Sequence, residues 1–440
     1  MKPNLPAGSF NIHWFGLLNA VSFQVMMGAP IILYAKALEA SSTVIGIIAA
    51  FAPLMVIFQL PAARFLDRFS YRSFILAGWG IRTIFIFIIA FSSLFAFLDA
   101  TSKMAILLSS LFLYNLLRGI TSTAWMPWIT ALIPEEVRGR FLARDHFFIF
   151  SGQVIALSAS ALVTVGHAEP WKYAMMFFIS GFAAWVSLYF VRKIPDVPSQ
   201  AVVRTSSASV PWMAILRYGP FFRLLVFNFV AQNIFTCMAI FSTEFMRVFL
   251  GLPNSTILWL TALGVVGAMV ALPFCWIMTD RVENVHLIVF GISAFGVAVA
   301  VWMLVATGVF PPTLWLLAIL AFVDGAAYAV YNLSNVRTIM RTMPEMGRAH
   351  FFAMFTVITG LGLATVPVGW GLVLDALRPL DLVTGIFVWE RYGAFFLAIA
   401  VICLLTAASA RFLLQEGKPT TGSMSGTPEI SMRRLFRRMR

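Results

Sequence analysis

The sequence predicts an all-α polytopic membrane protein, with twelve transmembrane helices arranged in two six-helix halves. Three observations carry that expectation. Of 440 residues, 60% are hydrophobic and only 11% are charged, with a mean hydropathy of +0.90. A soluble domain carries roughly 25% charged residues, so this much apolar surface has no water-soluble core to fill. Apolar runs of the roughly 20 residues needed to cross a bilayer recur along the whole chain. The chain also repeats itself. Asp67-Arg68 with Gly78, and Ser42-Thr43, return as Asp280-Arg281 with Gly291, and Ser255-Thr256, all at an offset of 213. Pro134-Glu135, Arg138, Phe141 and Ala143 return as Pro344-Glu345, Arg348, Phe351 and Ala353 at an offset of 210. A repeat of this length in a membrane chain marks a transporter built from two halves.

Taken in order, the predicted spans are about 11–35, 43–64, 74–98, 104–131, 146–166, 172–191, 220–247, 255–278, 286–308, 313–340, 351–375 and 392–414. Most loops are short. The exception is 192–219, with Pro195, Pro198 and the serines Ser206, Ser207 and Ser209, which reads as a cytoplasmic linker. It separates an N-terminal half, 1–191, from a C-terminal half, 220–414, and 415–440 forms a basic cytoplasmic tail. In that tail Met432, Leu435, Phe436 and Met439 recur at helical spacing between arginines. Such a segment suits the anionic lipids of an inner leaflet. Gly152 and Ala156, Gly264 and Ala268, and the glycines Gly360, Gly362, Gly369 and Gly371 mark faces where helices can approach closely.

The net charge of +13 is not a nucleic-acid signal, because of where it falls. Of the 31 Lys and Arg, 23 lie in the even loops and the termini, six in the odd loops and two, Arg82 and Arg118, inside spans. That asymmetry follows the positive-inside rule. It places both termini in the cytoplasm and the chain in the cell's inner membrane. The start, Met1 to Phe10, is polar and leads straight into a span, with no cleavable signal peptide expected. Cys237, Cys275 and Cys403 lie in apolar runs and give neither a disulfide framework nor zinc spacing. The five histidines are scattered, none at metal-ligand spacing. No phosphate loop of the P-loop type is present. An enzyme, a metal site and a cofactor are therefore not expected.

The loop after the second span reads Ala63-Arg64-Phe65-Leu66-Asp67-Arg68-Phe69-Ser70-Tyr71-Arg72. It resembles the G-x-x-x-D-R-x-G-R-[RK] signature of the major facilitator superfamily of secondary transporters. Asp67, Arg68 and Arg72 match, whereas Ala63 and Ser70 stand in place of the glycines and Tyr71 in place of a basic residue. Pro134-Glu135-Glu136-Val137-Arg138-Gly139-Arg140 resembles the same superfamily's P-x-x-x-R-G pattern, and Arg118-Gly119 resembles, loosely, its R-x-x-x-G element. The fifth span carries Ser151-Gly152-Gln153 rather than the Gly-Pro of drug antiporters. The resemblance covers nearly the whole chain. It implies alternating access, with the first, fourth, seventh and tenth spans lining the cavity.

Charge inside a bilayer costs at least roughly 2.5–3.5 kcal/mol, so intramembrane ionisable residues are functional candidates. Arg118 lies 14 residues into the fourth span and Asp324 lies 11 into the tenth, both in the middle third. Arg82 lies nearer a span end, where its long stem can snorkel to the loop. Tyr114, Arg118, Thr121, Trp125 and Trp128 share one helical face, and Asp324, Tyr328, Tyr331, Asn335 and Thr338 share another in the same phase, 210 residues on. Asn19 and Gln232 add amides one repeat apart in the first and seventh spans. The candidate substrate and coupling residues are thus Arg118, Asp324, Tyr114, Trp125, Tyr328, Tyr331, Asn335, Asn19 and Gln232. Asp324 is the candidate proton carrier, since a carboxyl binds and releases a proton as its surroundings change. Arg118 is placed to hold an anionic substrate group or to modulate Asp324. Asp67, Arg68, Arg138, Asp280, Arg281 and Arg348 are the candidate cytoplasmic gate.

The expected function is secondary transport of a small, sugar-like or polar organic solute, coupled to protons or another ion. An exporter of amphipathic compounds and a non-transporting membrane scaffold or assembly factor are the alternatives.

Overall fold

The computed structural model describes residues 8–63, 69–167, 169–196, 216–279, 282–342 and 348–413. Among the described residues eleven stretches of helix are long and apolar enough to cross a membrane, and the shorter apolar helix Ser42–Phe58 supplies the twelfth expected span. The fold is all-α, as the apolar runs predict. A bilayer offers no water to unpaired backbone groups, and a helix satisfies them internally.

The first span is α1 (Ser9–Met27) and α2 (Ala29–Ala37), broken at Gly28, where the backbone is extended and Pro30 opens the second piece. The second is α3 (Ser42–Leu54), a 3-10 turn (Met55–Phe58) and α4 (Gln59–Ala63). Pro53 and Pro61 lack the N–H donors that would keep this span regular. The third span is α5 (Tyr71–Leu94), capped by the Ser70 hydroxyl. The fourth is α6 (Ala100–Ser122) followed by α7 (Trp125–Leu132). Its break has two causes. Thr121, Ser122 and Thr123 donate their hydroxyls back to the carbonyls of Leu117, Gly119 and Ile120, which bends helices. Pro127 then removes a backbone donor. A side chain on Gly119 would collide with the Met55 carbonyl, so the broken second and fourth spans nest at that point.

The chain continues through α8 (Glu135–Val163), α9 (Pro170–Arg192), α10 (Gly219–Val248), α11 (Asn254–Thr279), α12 (Asn284–Ala306), α13 (Leu314–Thr342), α14 (Arg348–Ala376) and α15 (Arg391–Leu413). Between α14 and α15 lies a feature the sequence analysis does not anticipate. Strands β1 (Leu382–Thr384) and β2 (Phe387–Trp389) pair antiparallel in a small hairpin. Gly385, with φ +60°, opens its two-residue turn. Within the first half α1 packs on α8 and α9, and α5 on α6 and α9. Within the second, α12 packs on α13 and α15, and α11 on α13. Between the halves the main contacts are α3 with α14 and α8 with α11.

The halves are latched at the end that carries the odd loops. Ser42 and Thr43 open α3, where backbone N–H groups lack intrahelical partners and the helix dipole is positive. Asp375, in the last turn of α14, caps them from the other half. Its Oδ1 accepts the Ser42 N–H at 3.1 Å, and its Oδ2 accepts the Thr43 N–H at 2.8 Å and the Thr43 hydroxyl at 2.6 Å. Arg378 donates to the same carboxylate at 2.8 Å. Beside it Glu244 of α10, fully buried, accepts from the Ser42 hydroxyl at 2.7 Å and from Lys36 Nζ at 3.2 Å. Asn254 donates to the Tyr173 hydroxyl at 2.7 Å, joining α11 to the start of α9. Backbone contact is close here too. A Cβ on Gly46 would stand 2.5 Å from the Pro367 carbonyl, and one on Gly371 2.5 Å from the Ser42 carbonyl. Further toward the even loops α3 and α14 diverge. A Cβ on Gly360 would reach no closer than 3.4 Å to the Pro53 carbonyl.

Two outcomes follow from this packing. A side chain on Gly325 of α13 would collide with the Gly264 backbone of α11, whereas one on Gly369 would meet nothing within 4 Å. Gly325→Ala is expected to lower the detergent melting temperature, with overpacking costing roughly 1–3 kcal/mol, and Gly369→Ala to leave it unchanged. Equal melting of the two variants would contradict this helix crossing. At the latch, hydrogen bonds to a charged group are worth roughly 1.5–3 kcal/mol each. Asp375→Asn is therefore expected to raise impermeant-maleimide labelling of an Ala40→Cys reporter, a buried position at the latched end on a chain whose own cysteines are buried. Labelling that stays the same would mean that Asp375 does not hold this end closed.

Candidate functional site

Midway through the first half, α1, α5 and α6 bring three polar side chains together. Arg82 is 3% exposed. It does not snorkel to the loop as its position suggests. Its guanidinium turns inward and donates to Asn19 Oδ1, with its Cζ 4.9 Å from the Trp79 ring centre and 5.4 Å from that of Tyr114. An amide acceptor and two ring faces replace the water that a snorkelling side chain would seek. One turn beyond Tyr114, Arg118 lays its guanidinium 4.6 Å over the Phe23 ring. It interacts electrostatically with both Tyr114 and Arg82. Tyr114 is fully buried and its hydroxyl has no partner.

The later residues of that face pack against rings and backbone. Trp125 packs in an aromatic box with Phe15, Trp79 and Trp128 at 4.8, 5.5 and 6.2 Å. Trp128 is fully buried and donates its Nε1–H to the Pro195 carbonyl at 3.0 Å. Thr121 bonds back to Leu117 and packs on Gly78. These three are built into the walls, while Trp79 links the box to Arg82.

In the second half the same phase holds different chemistry. Asp324 Oδ2 accepts the Trp302 Nε1–H of α12 at 3.0 Å, and Oδ1 is buried without a partner. Trp302 is itself packed among Phe245 and Phe396. Tyr331 stacks on Phe235 of α10 at 4.7 Å, and its hydroxyl is buried without a partner. Tyr328 meets the same ring edge-on at 5.3 Å. Asn335 donates to Asn228 Oδ1 at 2.6 Å, and Gln232 reaches that oxygen at 3.5 Å, forming an amide ladder between α10 and α13.

Arg118 and Asp324 do not form an ion pair; each has its own surroundings. Arg118 and Asp324 are half-buried, and Tyr328 is exposed. Asn19 and Gln232 are half-buried on the neighbouring helices. Of the candidate gate, Asp67, Arg68, Asp280 and Arg281 lie outside the described residues, as does the basic tail. For Arg138 and Arg348 only their place in α8 and α14 is described.

Sequence reasoning missed Glu244 and Asp375. The signal for Glu244 was present, since an acid inside the apolar run 220–247 meets the criterion that singled out Arg118. Asp375 sits at the edge of its run and shows nothing unusual until α3 lies against it. His13 was set aside as scattered; its Nδ1 stands 3.3 Å from Asp145 Oδ1 across α1 and α8.

Comparison with known proteins gives a consistent result. A family model described as the Major Facilitator Superfamily matches residues 14–253 and again 224–439. No curated protein sequence matches the chain. Among solved structures, a point mutant of the nucleoside transporter NupG superposes with a TM-score of 0.72 at 13% identity, covering 93% of this chain and 100% of that one. A D-xylose–proton symporter gives 0.73 at 15% identity, covering 94% and 99%. A bacterial homologue of the human lysosomal transporter Spinster gives 0.67 at 13%, covering 95% and 98%. At these identities the likeness is one of fold. With the family model matched over both repeats, the chain belongs to the Major Facilitator Superfamily and is a multi-pass membrane transporter rather than an enzyme.

Proposed function

We propose that the chain is a secondary active transporter that moves a polar organic solute across the cytoplasmic membrane by alternating access, driven by protons. One contrast carries this reading. The halves are latched by reversible polar contacts at the odd-loop end, while midway through the bundle the Tyr114 and Tyr331 hydroxyls are buried without partners and Arg118 lies over the Phe23 ring rather than against an acid. A static scaffold has no use for unpaired polar groups at that depth, and a solute supplies their partners.

In this reading both termini are cytoplasmic and the odd loops face outward, so the described conformation is closed to the outside. Residues 1–191 and 220–414 are the two moving bodies, 192–219 is the cytoplasmic linker, and the tail 415–440 rests on anionic lipid. Asp67, Arg68 and Arg138, with Asp280, Arg281 and Arg348, close the cytoplasmic end in the opposite state. Two acids serve coupling. Glu244 is bonded to Lys36 and Ser42 of the other half; when the latch opens it parts from them and exchanges that partner for water or a proton. Asp324 stands at mid-depth with one oxygen unpaired, one helical turn from Tyr328. The aromatic and amide surfaces of Tyr328, Tyr331, Asn335 and Gln232 suit a sugar-like body through stacking and hydrogen bonds.

Reconstitution tests the reading directly. An inward proton gradient should drive accumulation of at least one of a panel of labelled pentoses, nucleosides and sugar acids, and a protonophore should abolish it. Pentoses and nucleosides belong in the panel because structural relatives carry those names. Accumulation indifferent to the gradient would remove protons from the mechanism. Extrusion of amphipathic dyes with no uptake of any polar solute would replace the reading with an exporter. Asp324→Asn should lose gradient-driven accumulation but keep solute exchange, because the amide oxygen still accepts from Trp302 while no proton is released. Wild-type accumulation in that variant would exclude Asp324 from coupling.

A further inference from the structure

The first half holds two inward-turned guanidinium groups, and among the described residues its carboxylates pair elsewhere, as Asp145 does with His13. Among the described residues neither Arg82 nor Arg118 has an ion-pair partner, and the Arg118 guanidinium makes no hydrogen bond at all. Arg82 donates to Asn19 Oδ1, and its Nε–H is buried without an acceptor. The Tyr114 hydroxyl, also buried and unpaired, belongs to the same cluster. Rings cover both cations, through Trp79 and Tyr114 for Arg82 and Phe23 for Arg118. A ring face attracts a cation but neither cancels its charge nor occupies its N–H donors. Arginine cannot escape by losing its proton. Two like charges held together away from bulk water are destabilising unless an anion joins them.

The geometry of the missing partner is readable. A guanidinium presents a planar fork of donors that matches a carboxylate or phosphate. Arg118 is half-buried and free to accept a ligand, whereas Arg82 is buried and braced by Asn19. Asp324 does not fill this role: it forms no ion pair with either arginine, and one of its oxygens accepts from Trp302 in the other half. Resting on the transporter reading above, we propose that the transported solute carries an oxyanion group, a carboxylate or phosphate. That group docks on Arg118 as the direct ligand, with Arg82 and the Tyr114 hydroxyl supporting it, while the solute's neutral body faces the amides and phenols of α10 and α13. The first and second halves thus divide recognition into charge and shape.

The test uses the purified full chain in lipid-free detergent and reads thermal unfolding at constant ionic strength. Acetate, phosphate and glucuronate are each compared with chloride, and glucose serves as the neutral match for glucuronate. At least one oxyanion should raise the melting temperature in a concentration-dependent way, and glucose should not. Arg118→Gln should abolish that rise. Without added oxyanion the same variant should melt no lower than the wild type, because it removes an unbalanced charge; a merely structural arginine would give a drop. Absence of protection by every oxyanion overturns the proposal. Protection by phosphatidylglycerol alone also overturns it, assigning the cluster to a lipid headgroup. Because the readout is binding, protection without uptake in proteoliposomes would refute the transport reading and leave the anion site standing.

Discussion

A bilayer interior supplies no water, so each polar group inside it must find its partner within the protein or carry the cost of having none. The backbone meets this condition by being helical. The side chains meet it in three ways that divide the molecule by depth. Along the helices, serine and threonine hydroxyls bond back to carbonyls one turn away, as at Thr164, Thr236 and Thr359. At the odd-loop end, carboxylates of the second half bond to the start of the first half's α3. Between α10 and α13, amides bond to each other. Among the described residues some buried polar atoms stay unpaired, and at mid-depth these include the Tyr114 and Tyr331 hydroxyls and one oxygen of Asp324.

Much of the architecture was legible in the sequence because the signals are local. Apolar run lengths give the spans, and loop residues at fixed offsets give the repeat. The two polar faces were legible for the same reason, since helical phase follows from numbering. The repeat in sequence is nevertheless not a repeat in chemistry. Arg118 corresponds to Tyr328 and Tyr114 to Asp324 at the 210 offset, so a cation sits where its counterpart is a phenol. Asn19 and Gln232 occupy equivalent places yet find different partners, a guanidinium in one half and an amide in the other.

What escaped the sequence depends on contacts between distant segments. Asp375 and Ser42 are 333 residues apart, and neither pattern hints at the other. Arg82 was misjudged because its direction is set by Asn19 and Tyr114, on helices that numbering alone does not bring near. The hairpin at β1 and β2 is too short for its alternation to stand out from the apolar runs on either side.

The cap on α3 has an implication for sequence drift. Two of its three contacts to the opening of that helix are made to backbone N–H groups, which every residue except proline provides. Substitution at Ser42 or Thr43 removes a hydroxyl bond to Glu244 or Asp375 but leaves those backbone donors in place, so Asp375 still caps the helix. The second half has no such freedom, because the acceptor is one carboxylate at one position. Of two surfaces that meet, one is therefore free to vary and the other is pinned. Among descendants of this chain the interface would be recorded at Asp375 and nearly silent at the helix it holds.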